Sequence, residues 1–409
     1  MPGTSNLGGM NMTVGNATLE RLFRKISNVS MLLTDRCNLR CSYCFIDCTP
    51  ANDSRMSLDT AKEIARLLVA NSQYPQVVLH LYGGEPLLVE DAWIAEFVAY
   101  ARALGQQQGK GVIFPLSTNG TLLDEERMVR LHDLGVSFSI SCDGPPHIHD
   151  ACREGGAKIH ELFGAARKRN IQVGVVTTIN RHNCDRMPEV MEYLREQGVA
   201  GMISNFVVAQ GRGDAEQLSA DQMYRSTVAM IEHMLKTDLS VDDMRIGRLA
   251  YQFLCASHGN ASQPQWNRSC DSAEDKVGID AEGNIFVCGG TRNRDYLLGR
   301  LGEEIDECGV QRLRDNFPRK GTWYIRCFDC KANHFCTHGC PISCDLSENF
   351  RENHCNYTRQ MWTYFGNNPD QARKLHEMTM RKMQQCMKPP TATDGDHRCQ
   401  IEVGAQGGE

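Results

Sequence analysis

Three cysteines fall within one short stretch, Cys37-Asn38-Leu39-Arg40-Cys41-Ser42-Tyr43-Cys44, a C-x3-C-x2-C run directly after a short apolar segment. Three thiolates that close together can hold three corners of a cubane iron–sulfur cluster. The run supplies no fourth ligand, so one iron of a cubane would stay open to bind another molecule. A zinc knuckle or a structural thiol cluster would use the same residues. A second cysteine-rich set lies toward the other end of the chain. Cys270 is followed after twelve residues by Gly283 and after four more by Cys288; then come Cys327-x2-Cys330-x5-Cys336-x3-Cys340 and, after a gap, Cys355. Paired cysteines of this kind suit a zinc ribbon or further iron–sulfur clusters.

The elements that must position these residues read as repeated strand–helix units. Short β-branched or apolar runs at residues 28–33, 76–82, 112–117, 136–141, 172–179 and 202–208 predict strands. Helical periodicity lies between them. In 57–70, Ile64, Leu67 and Leu68 recur at i, i+3 and i+4; in 91–104, Trp93, Phe97, Tyr100 and Ala101 share a face; 189–197 and 220–235 also fit. Successive βα units imply a parallel sheet with helices outside it. The expected fold class is therefore α/β, a partial (β/α)6 TIM-like barrel followed by a small cysteine-rich domain. A doubly wound open sheet competes, but no G-x-G-x-x-G follows the first strand, which argues against its dinucleotide-binding version.

The chemically unusual residues each follow a strand. The three-cysteine run follows the first, Gly83-Gly84-Glu85-Pro86 the second, Thr118-Asn119-Gly120 the third, Cys142-Asp143-Gly144-Pro145 the fourth and Asn180-Arg181 the fifth. In a parallel barrel the loops after the strands share one mouth, where active sites form.

With 409 residues, 41% hydrophobic and 23% charged, the chain has room for two or three domains with cores of their own. A net charge of −6 gives no electrostatic reason to expect nucleic-acid binding. No apolar run reaches the length of about eighteen residues that a membrane span needs, and the N-terminus shows no secretory pattern. A cytoplasmic location is expected. Thiols stay reduced there, so the 19 cysteines point to metal or cluster ligation rather than disulfides.

In this order, C-x3-C-x2-C, G-G-E-P, S-T-N-G and S-x-D-G-P with H-D-x-x-R resemble the core of the radical S-adenosylmethionine (SAM) enzymes, as found in sulfatase-maturing enzymes and peptide maturases. The resemblance covers about residues 27–211. The C-terminal cysteines resemble the SPASM extension, which in that family holds two auxiliary [4Fe–4S] clusters. By this resemblance Cys37, Cys41 and Cys44 ligate the SAM-binding cluster, and Tyr43 and the backbone at Phe45 lie near the adenine. Gly83, Gly84 and Glu85 receive the methionine amino group, Asn119 belongs to the same cofactor-binding set, and Ser141 and Arg153 meet the ribose and carboxylate end of SAM. The first auxiliary cluster takes Cys270, Cys288 and Cys340, and the second takes Cys327, Cys330, Cys336 and Cys355. Cys255 is the nearest candidate for a fourth ligand of the first, with a buried core thiol as the alternative. Cys142, at a strand end, could return a hydrogen atom to a substrate radical, as an epimerase requires, or pack as a small hydrophobe. The implied divisions are an N-terminal extension (1–26), the barrel (27–238), a polar linker with one or two helical turns (239–266), the SPASM domain (267–364), and a C-terminal helix at 369–385 with a disordered tail (365–409).

The resemblance implies that SAM and three [4Fe–4S] clusters serve as cofactors. It also implies an external one-electron donor of flavodoxin or ferredoxin type, and a substrate whose C–H bond loses hydrogen to a 5′-deoxyadenosyl radical. A peptide or protein that is oxidised, by cross-linking or dehydrogenation, is the leading expectation. Oxidation or epimerisation of a small carbohydrate or aminocyclitol is the enzymatic alternative, and an iron–sulfur sensor or electron carrier the non-enzymatic one. The roughly thirty residues before the first strand are expected to be too few for the leader-binding domain of some maturases. Gly289 follows Cys288 where the sulfatase-maturing enzymes have an aspartate base, so formylglycine formation is not expected. Protein purified without oxygen should carry about twelve irons per chain, four for each of three cubanes. About four irons with one or two zinc ions would instead make the C-terminal cysteines a zinc module.

Overall fold

The computed structural model describes residues 16–199, 201–238, 241–257, 275–303, 305–316, 327, 329–336 and 339–386. A helix, α1 (Asn16–Arg24), leads into repeated strand–helix units. Their strands are β1 (Asn28–Leu32), β2 (Gln76–Tyr82), β3 (Gly111–Thr118), β4 (Val136–Ser141), β5 (Val173–Ile179) and β6 (Gly201–Phe206). The helices of this part are α2 (Leu58–Asn71), α3 (Asp91–Gln108), α4 (Glu125–Asp133), the one-turn α5 (Pro146–His149), α6 (Gly156–Lys168), α7 (Met187–Glu196) and α8 (Ala220–Lys236). The strands pair in sequence order and all in parallel. The sheet does not close on itself. The two-residue β7 (Asp242–Asp243) lies beside β6, and β8 (Lys276–Ile279) lies beside β1. The result is the expected partial barrel.

Alternation along the strands separates two faces. Val77, Leu79 and Leu81 of β2, Phe114 and Leu116 of β3, and Phe138 and Ile140 of β4 are buried in one large core. Ile64, Leu67 and Leu68 of α2 and Ile94, Phe97 and Val98 of α3 belong to the same core. Each such side chain contributes about 1.5–3 kcal/mol by leaving water. The helices start where the sequence caps them: Ser57 accepts from the Thr60 N–H, Asp124 from the Arg127 N–H, and Ser219 with Gln222 forms a capping box. All six strands lie within two residues of the predicted runs. The crossovers α4 and α6 had not been picked out. Helix α4 is short and mostly charged, with only Met128 and Leu131 buried, so an apolar pattern hardly shows; α6 buries Ile159, Leu162, Phe163 and Ala166 at i, i+3, i+4 and i+7, a pattern the sequence did carry.

Segment 239–266 departs from the expected polar linker. It carries β7 and then α9 (Met244–Ser257), a full helix whose Ile246, Ala250 and Phe253 are buried. Beyond it, β8, β9 (Asn284–Phe286) and β10 (Leu297–Arg300) form an antiparallel extension of the barrel sheet, with Gly283 in the β8–β9 turn. Four helices follow among the described residues: α10 (Glu307–Asn316), α11 (Pro341–Leu346), α12 (Glu348–Asn367) and α13 (Pro369–Cys386). Helix α12 runs past residue 364 and carries Cys355, which the sequence had placed only after a gap. Helix α13 matches the expected 369–385. Cys270 and the tail from 387 lie outside the described residues. Among those described, no helix is long and apolar enough to cross a membrane.

Candidate active site

Cys37, Cys41 and Cys44 lie on the loop between β1 and α2, which has no helix of its own and is pinned by the isolated bridges Thr34–Arg55 and Arg36–Thr49. The loops after the other strands hold it. After β2, the Gly84 N–H donates to the Thr34 carbonyl at 2.8 Å and the Glu85 N–H to the Arg36 carbonyl at 2.9 Å. A Cβ on Gly84 would sit 2.3 Å from the Arg36 oxygen, and one on Gly83, at φ +141°, 2.7 Å from the Thr34 oxygen. The bare backbone is thus required where two loops cross. The buried Glu85 carboxylate accepts from the Leu87 N–H (3.0 Å), the Thr118 hydroxyl (2.7 Å) and the Asn119 N–H (2.8 Å), which ties the end of β2 to the end of β3. Burial pushes its carboxyl up from the ordinary glutamate value, and these donors pull it back. The Asn119 amide reaches the cysteine loop, 2.9 Å from Asn38 Oδ1 and 3.9 Å from Cys37 Sγ.

Asp143, after β4, anchors a second buried set. Its carboxylate accepts from the Tyr43 hydroxyl, from Arg153 Nε at 3.1 Å, from the Cys152 thiol at 3.4 Å and from the Thr178 N–H at 2.8 Å. Arg153 Nε also donates to the Tyr43 hydroxyl, and its guanidinium lies over the Tyr43 ring. The Ser42 N–H donates to the Cys152 carbonyl at 3.0 Å. The structure therefore brings Tyr43 and Arg153 together through Asp143, which the sequence had marked only as part of a turn.

Sequence reasoning missed Arg212 altogether. From the short turn after β6, its N–H donates to the Cys44 carbonyl (3.0 Å), its Nε to the Cys41 carbonyl (2.8 Å) and a terminal nitrogen to the Cys48 carbonyl (3.0 Å), and it pairs with Asp47. The available signal was the glycine-flanked Gln210-Gly211-Arg212-Gly213 at the sixth strand end.

Cys142 is not where a hydrogen-atom donor would have to be. The outward, core-facing positions of β4 are Val136, Phe138 and Ile140, and the same alternation carries Cys142 outward. It is 1% exposed inside the main core, its thiol donates to the Gly144 carbonyl, and burial pushes its pKa up to about 12. Ser141 lies on the opposite, lumen-facing side. Cys255 sits half-buried near the end of α9.

The donor set at the mouth fits a cluster. Cys37, Cys41 and Cys44 pack with Leu39, Ile46 and a fourth thiol, Cys48, left unassigned by the sequence. Burial pushes Cys37 up to about 11 and also raises Cys41, which Arg153 draws back. Cys44 is pulled down to about 6, chiefly by the Cys48 thiol that donates to it. Soft thiolates beside two guanidinium groups suit an anionic iron–sulfur cluster. Among the described residues no group of three or more Cys, His, Asp or Glu is already placed to hold a metal ion.

The C-terminal cysteines gather elsewhere. Cys327, Cys330, Cys336 and Cys355 line one cavity of about 230 Å³ together with Cys344. That is several times the ~30 Å³ of a water molecule, so it admits a polynuclear group. Arg351, Cys355 and Arg359 share one face of α12 at i, i+4 and i+8, which puts two cations on the cavity wall. Cys340 does not line it and packs instead beside Val208 and Ala209, with Gln210 Nε2 at 4.0 Å. Cys288 faces the mouth: its Sγ and the Phe45 ring both lie 3.6 Å from where a Gly290 Cβ would be. A Cβ on Gly289 would stand 2.5 Å from that of Ser30, so this position has no room for an aspartate.

Comparison with known proteins matches residues 31–216 to the radical SAM superfamily model. The chain is 30% identical over 328 residues to the Fe-coproporphyrin III synthase of Methanosarcina barkeri (strain Fusaro / DSM 804), covering 73% of this chain and 79% of the relative. It is 34% identical over 334 residues to the AdoMet-dependent heme synthase of the same organism, covering 75% and 89%. In fold it resembles native anSMEcpe with bound AdoMet and Kp18Cys peptide, with a TM-score of 0.69 over 86% of this chain and 99% of the other, at 15% identity.

Two substitutions test the mouth. Arg212→Met removes several charge-assisted hydrogen bonds, each worth about 1.5–3 kcal/mol. It should lower retention of the mouth cluster, read by electron paramagnetic resonance after desalting, and leave the C-terminal signals in place. Glu85→Gln turns an amide N–H₂ toward a backbone or hydroxyl donor, leaving one of three hydrogen bonds unmade at about 1–3 kcal/mol. The melting temperature should fall by a few degrees as SAM affinity falls. An unchanged melting temperature with weaker SAM binding would show that the carboxylate serves the ligand alone.

Proposed function

The chain belongs to the radical SAM superfamily, whose members use SAM and a [4Fe–4S] cluster, and we propose that it oxidises a side chain or Cα of a ribosomally made peptide or protein by cross-linking or dehydrogenation. When bound, the open cluster with SAM supplies a 5′-deoxyadenosyl radical that takes hydrogen from an unactivated C–H. Cys37, Cys41 and Cys44 would hold that cluster. Glu85 uses three of the roughly four acceptor sites of a carboxylate and keeps one for an ammonium group. Arg153 is held through Nε, while its terminal nitrogens have no hydrogen-bond partner among the described residues, which suits a carboxylate ligand. Tyr43, Phe45, Ser141 and Asn119 stand around the same mouth as its remaining cofactor contacts.

The observation that carries the oxidative reading is the thiol-lined cavity flanked by Arg351 and Arg359. An auxiliary cluster there would accept the electron that a substrate radical must lose, and Cys288, at the mouth, and Cys340 would serve a second one. A flavodoxin or ferredoxin would supply the first electron. The lumen supports a neutral substrate, because β1–β6 contain no Lys, Arg, Asp or Glu. Their lumen-facing positions carry groups such as Ser30, Ser117, Ser139 and Thr178, and His80, which burial holds neutral by lowering its pKa to about 4. A tetrapyrrole substrate is the second reading, favoured by the names of the two Methanosarcina relatives. A polycarboxylate of that kind calls for cationic partners, which these strands lack.

Anaerobic enzyme given SAM, a reductant and a short peptide encoded beside its gene should form 5′-deoxyadenosine and a product two hydrogens lighter. Cys37→Ala, Cys41→Ala and Cys44→Ala together should abolish SAM cleavage without removing the C-terminal clusters. Turnover of Fe-coproporphyrin III in place of the peptide would establish the tetrapyrrole reading, and a peptide product of unchanged mass would exclude oxidation.

A further inference from the structure

Oxidation to a product two hydrogens lighter removes one hydrogen as an atom, taken by the 5′-deoxyadenosyl radical. The other leaves as an electron, taken by an auxiliary cluster, and a proton. That proton needs an acceptor in the lumen, a basic group neither charged nor already paired. Strands β1–β6 carry two titratable side chains, His80 and Tyr82. Burial pushes the Tyr82 phenol well up, so it keeps its own proton. The carboxylates around the mouth are committed: Asp143 to Arg153 and Tyr43, Asp35 to Arg292, and Glu85 to three donors.

His80 is differently placed. Val77, Leu79 and Leu81 face the core, so alternation turns His80 into the lumen. Its ring is half-buried, and its Nε2 lies 2.8 Å from Ser117 Oγ, the ring's one hydrogen-bond partner among the described residues. Ser117 stands nearer the mouth. Leu81 pairs with Leu116, which sets the Ser117 backbone two residues, about 7 Å, beyond that of His80 along the strands. The next residue, Thr118, donates to Glu85, and Ser139 of β4 is the register partner of Ser117. The hairpin carrying Cys288 closes over the same patch. Ser30, which meets Gly289, is the β1 partner of His80, and a Cβ on Gly289 would lie 3.8 Å from the Tyr82 ring. Burial foremost, and then Lys276 at the start of β8, keep the imidazole unprotonated, with its pKa lowered to about 4. Besides Lys276, only the neutral Tyr82, its ring centroid 5.4 Å away, titrates beside it.

On the oxidative reading of the function, we infer that Ser117 and His80 are the proton relay of that oxidation, with Ser117 touching the substrate and His80 acting through it. As the substrate radical gives up its electron, its N–H, O–H or C–H proton passes to Ser117 Oγ, and the Ser117 proton passes to His80 Nε2. A double bond or cross-link forms in the substrate, and one imidazolium remains. A proton next to a carbon radical is far more acidic than in the parent molecule, so a weakly basic imidazole suffices. The same burial makes the imidazolium unstable there, so it returns the proton to water before the next turnover.

The test compares variants on the peptide that the wild-type enzyme oxidises, counting oxidised peptide per 5′-deoxyadenosine. His80→Gln, which can still hydrogen-bond Ser117 but accepts no proton, should lower that ratio about 10²-fold, the usual contribution of a positioned proton acceptor. Ser117→Ala should lower it similarly, and Ser117→Thr, which keeps the hydroxyl, should restore it. Added imidazole should raise the ratio again in His80→Gly. Melting temperature and peptide affinity, by fluorescence anisotropy, should stay near wild type in His80→Gln. An unchanged ratio in His80→Gln or Ser117→Ala would overturn the relay. A loss that follows peptide affinity, or that imidazole leaves as it is, would make His80 a wall of the lumen and nothing more. A wild-type enzyme that yields no lighter peptide would instead overturn the oxidative reading itself.

Discussion

An irregular loop has to fix three thiolates in space, and everything around the barrel mouth follows from that constraint. Residues 37–44 have no ladder of their own to set their positions, so their order comes from other strands' loops. The Arg36 carbonyl is held by Glu85, the Ser42 N–H by Cys152, and the Cys41, Cys44 and Cys48 carbonyls by Arg212. These partners stand after β2, β4 and β6, on successive parts of the sheet. A parallel sheet brings all of its strand ends to one edge, so such distant residues meet with little further arrangement. The glycines at 83 and 84 belong to the same scheme, since any side chain there would push the cysteine loop off its seat.

A consequence is that residues with a cofactor reading also have a structural one. Glu85 accepts three hydrogen bonds from protein groups and Arg153 donates to two through Nε alone, and each keeps part of its capacity open. A buried Asp143–Arg153 pair is costly to break, since removing one partner strands the other's charge, at about 3–5 kcal/mol. Such a pair fixes the guanidinium in one orientation before any ligand arrives. That preorganisation lowers the entropy lost on binding, and it makes stability and cofactor affinity move together when these residues change.

The strands, the motifs at their ends and the two cysteine-rich sets were legible because each is a local pattern. Period-two apolar runs mark β2 and β4 to the residue. What could not be read is what depends on pairing across long stretches of chain. Arg212 looks like any surface arginine until β6 is placed beside the loop that starts after β1. Asp143 looks like a turn residue until Tyr43, 100 positions earlier, is seen to donate to it. For Cys142 strand-end position left two readings open, and the core packing agrees with the small-hydrophobe one, since the alternation that buries Phe138 and Ile140 continues through it. Cys344 escaped because the spacing pattern was already complete without it, and α12 was hidden by polar residues around the few that it buries.

The sheet also joins the first cysteine loop to the hairpin that precedes Cys288. Strand β8 pairs with β1, so the hairpin carrying Cys288 is built directly onto the strand that feeds the first cysteine loop. Tyr82, at the end of β2, feels Cys44, Cys48 and Cys288 at once, and burial pushes its phenol well above the ordinary tyrosine value. It stays neutral beside groups that would carry negative charge. Cys340 lies beside Val208 and Ala209, and one helical turn on Cys344 lines the arginine-flanked cavity. Arg212 and Arg153 stand beside the mouth thiols, and Arg351 and Arg359 beside the C-terminal ones. Cations beside an anionic cluster favour its reduced, more negative state, so these arginines would raise the potential of any cluster held beside them.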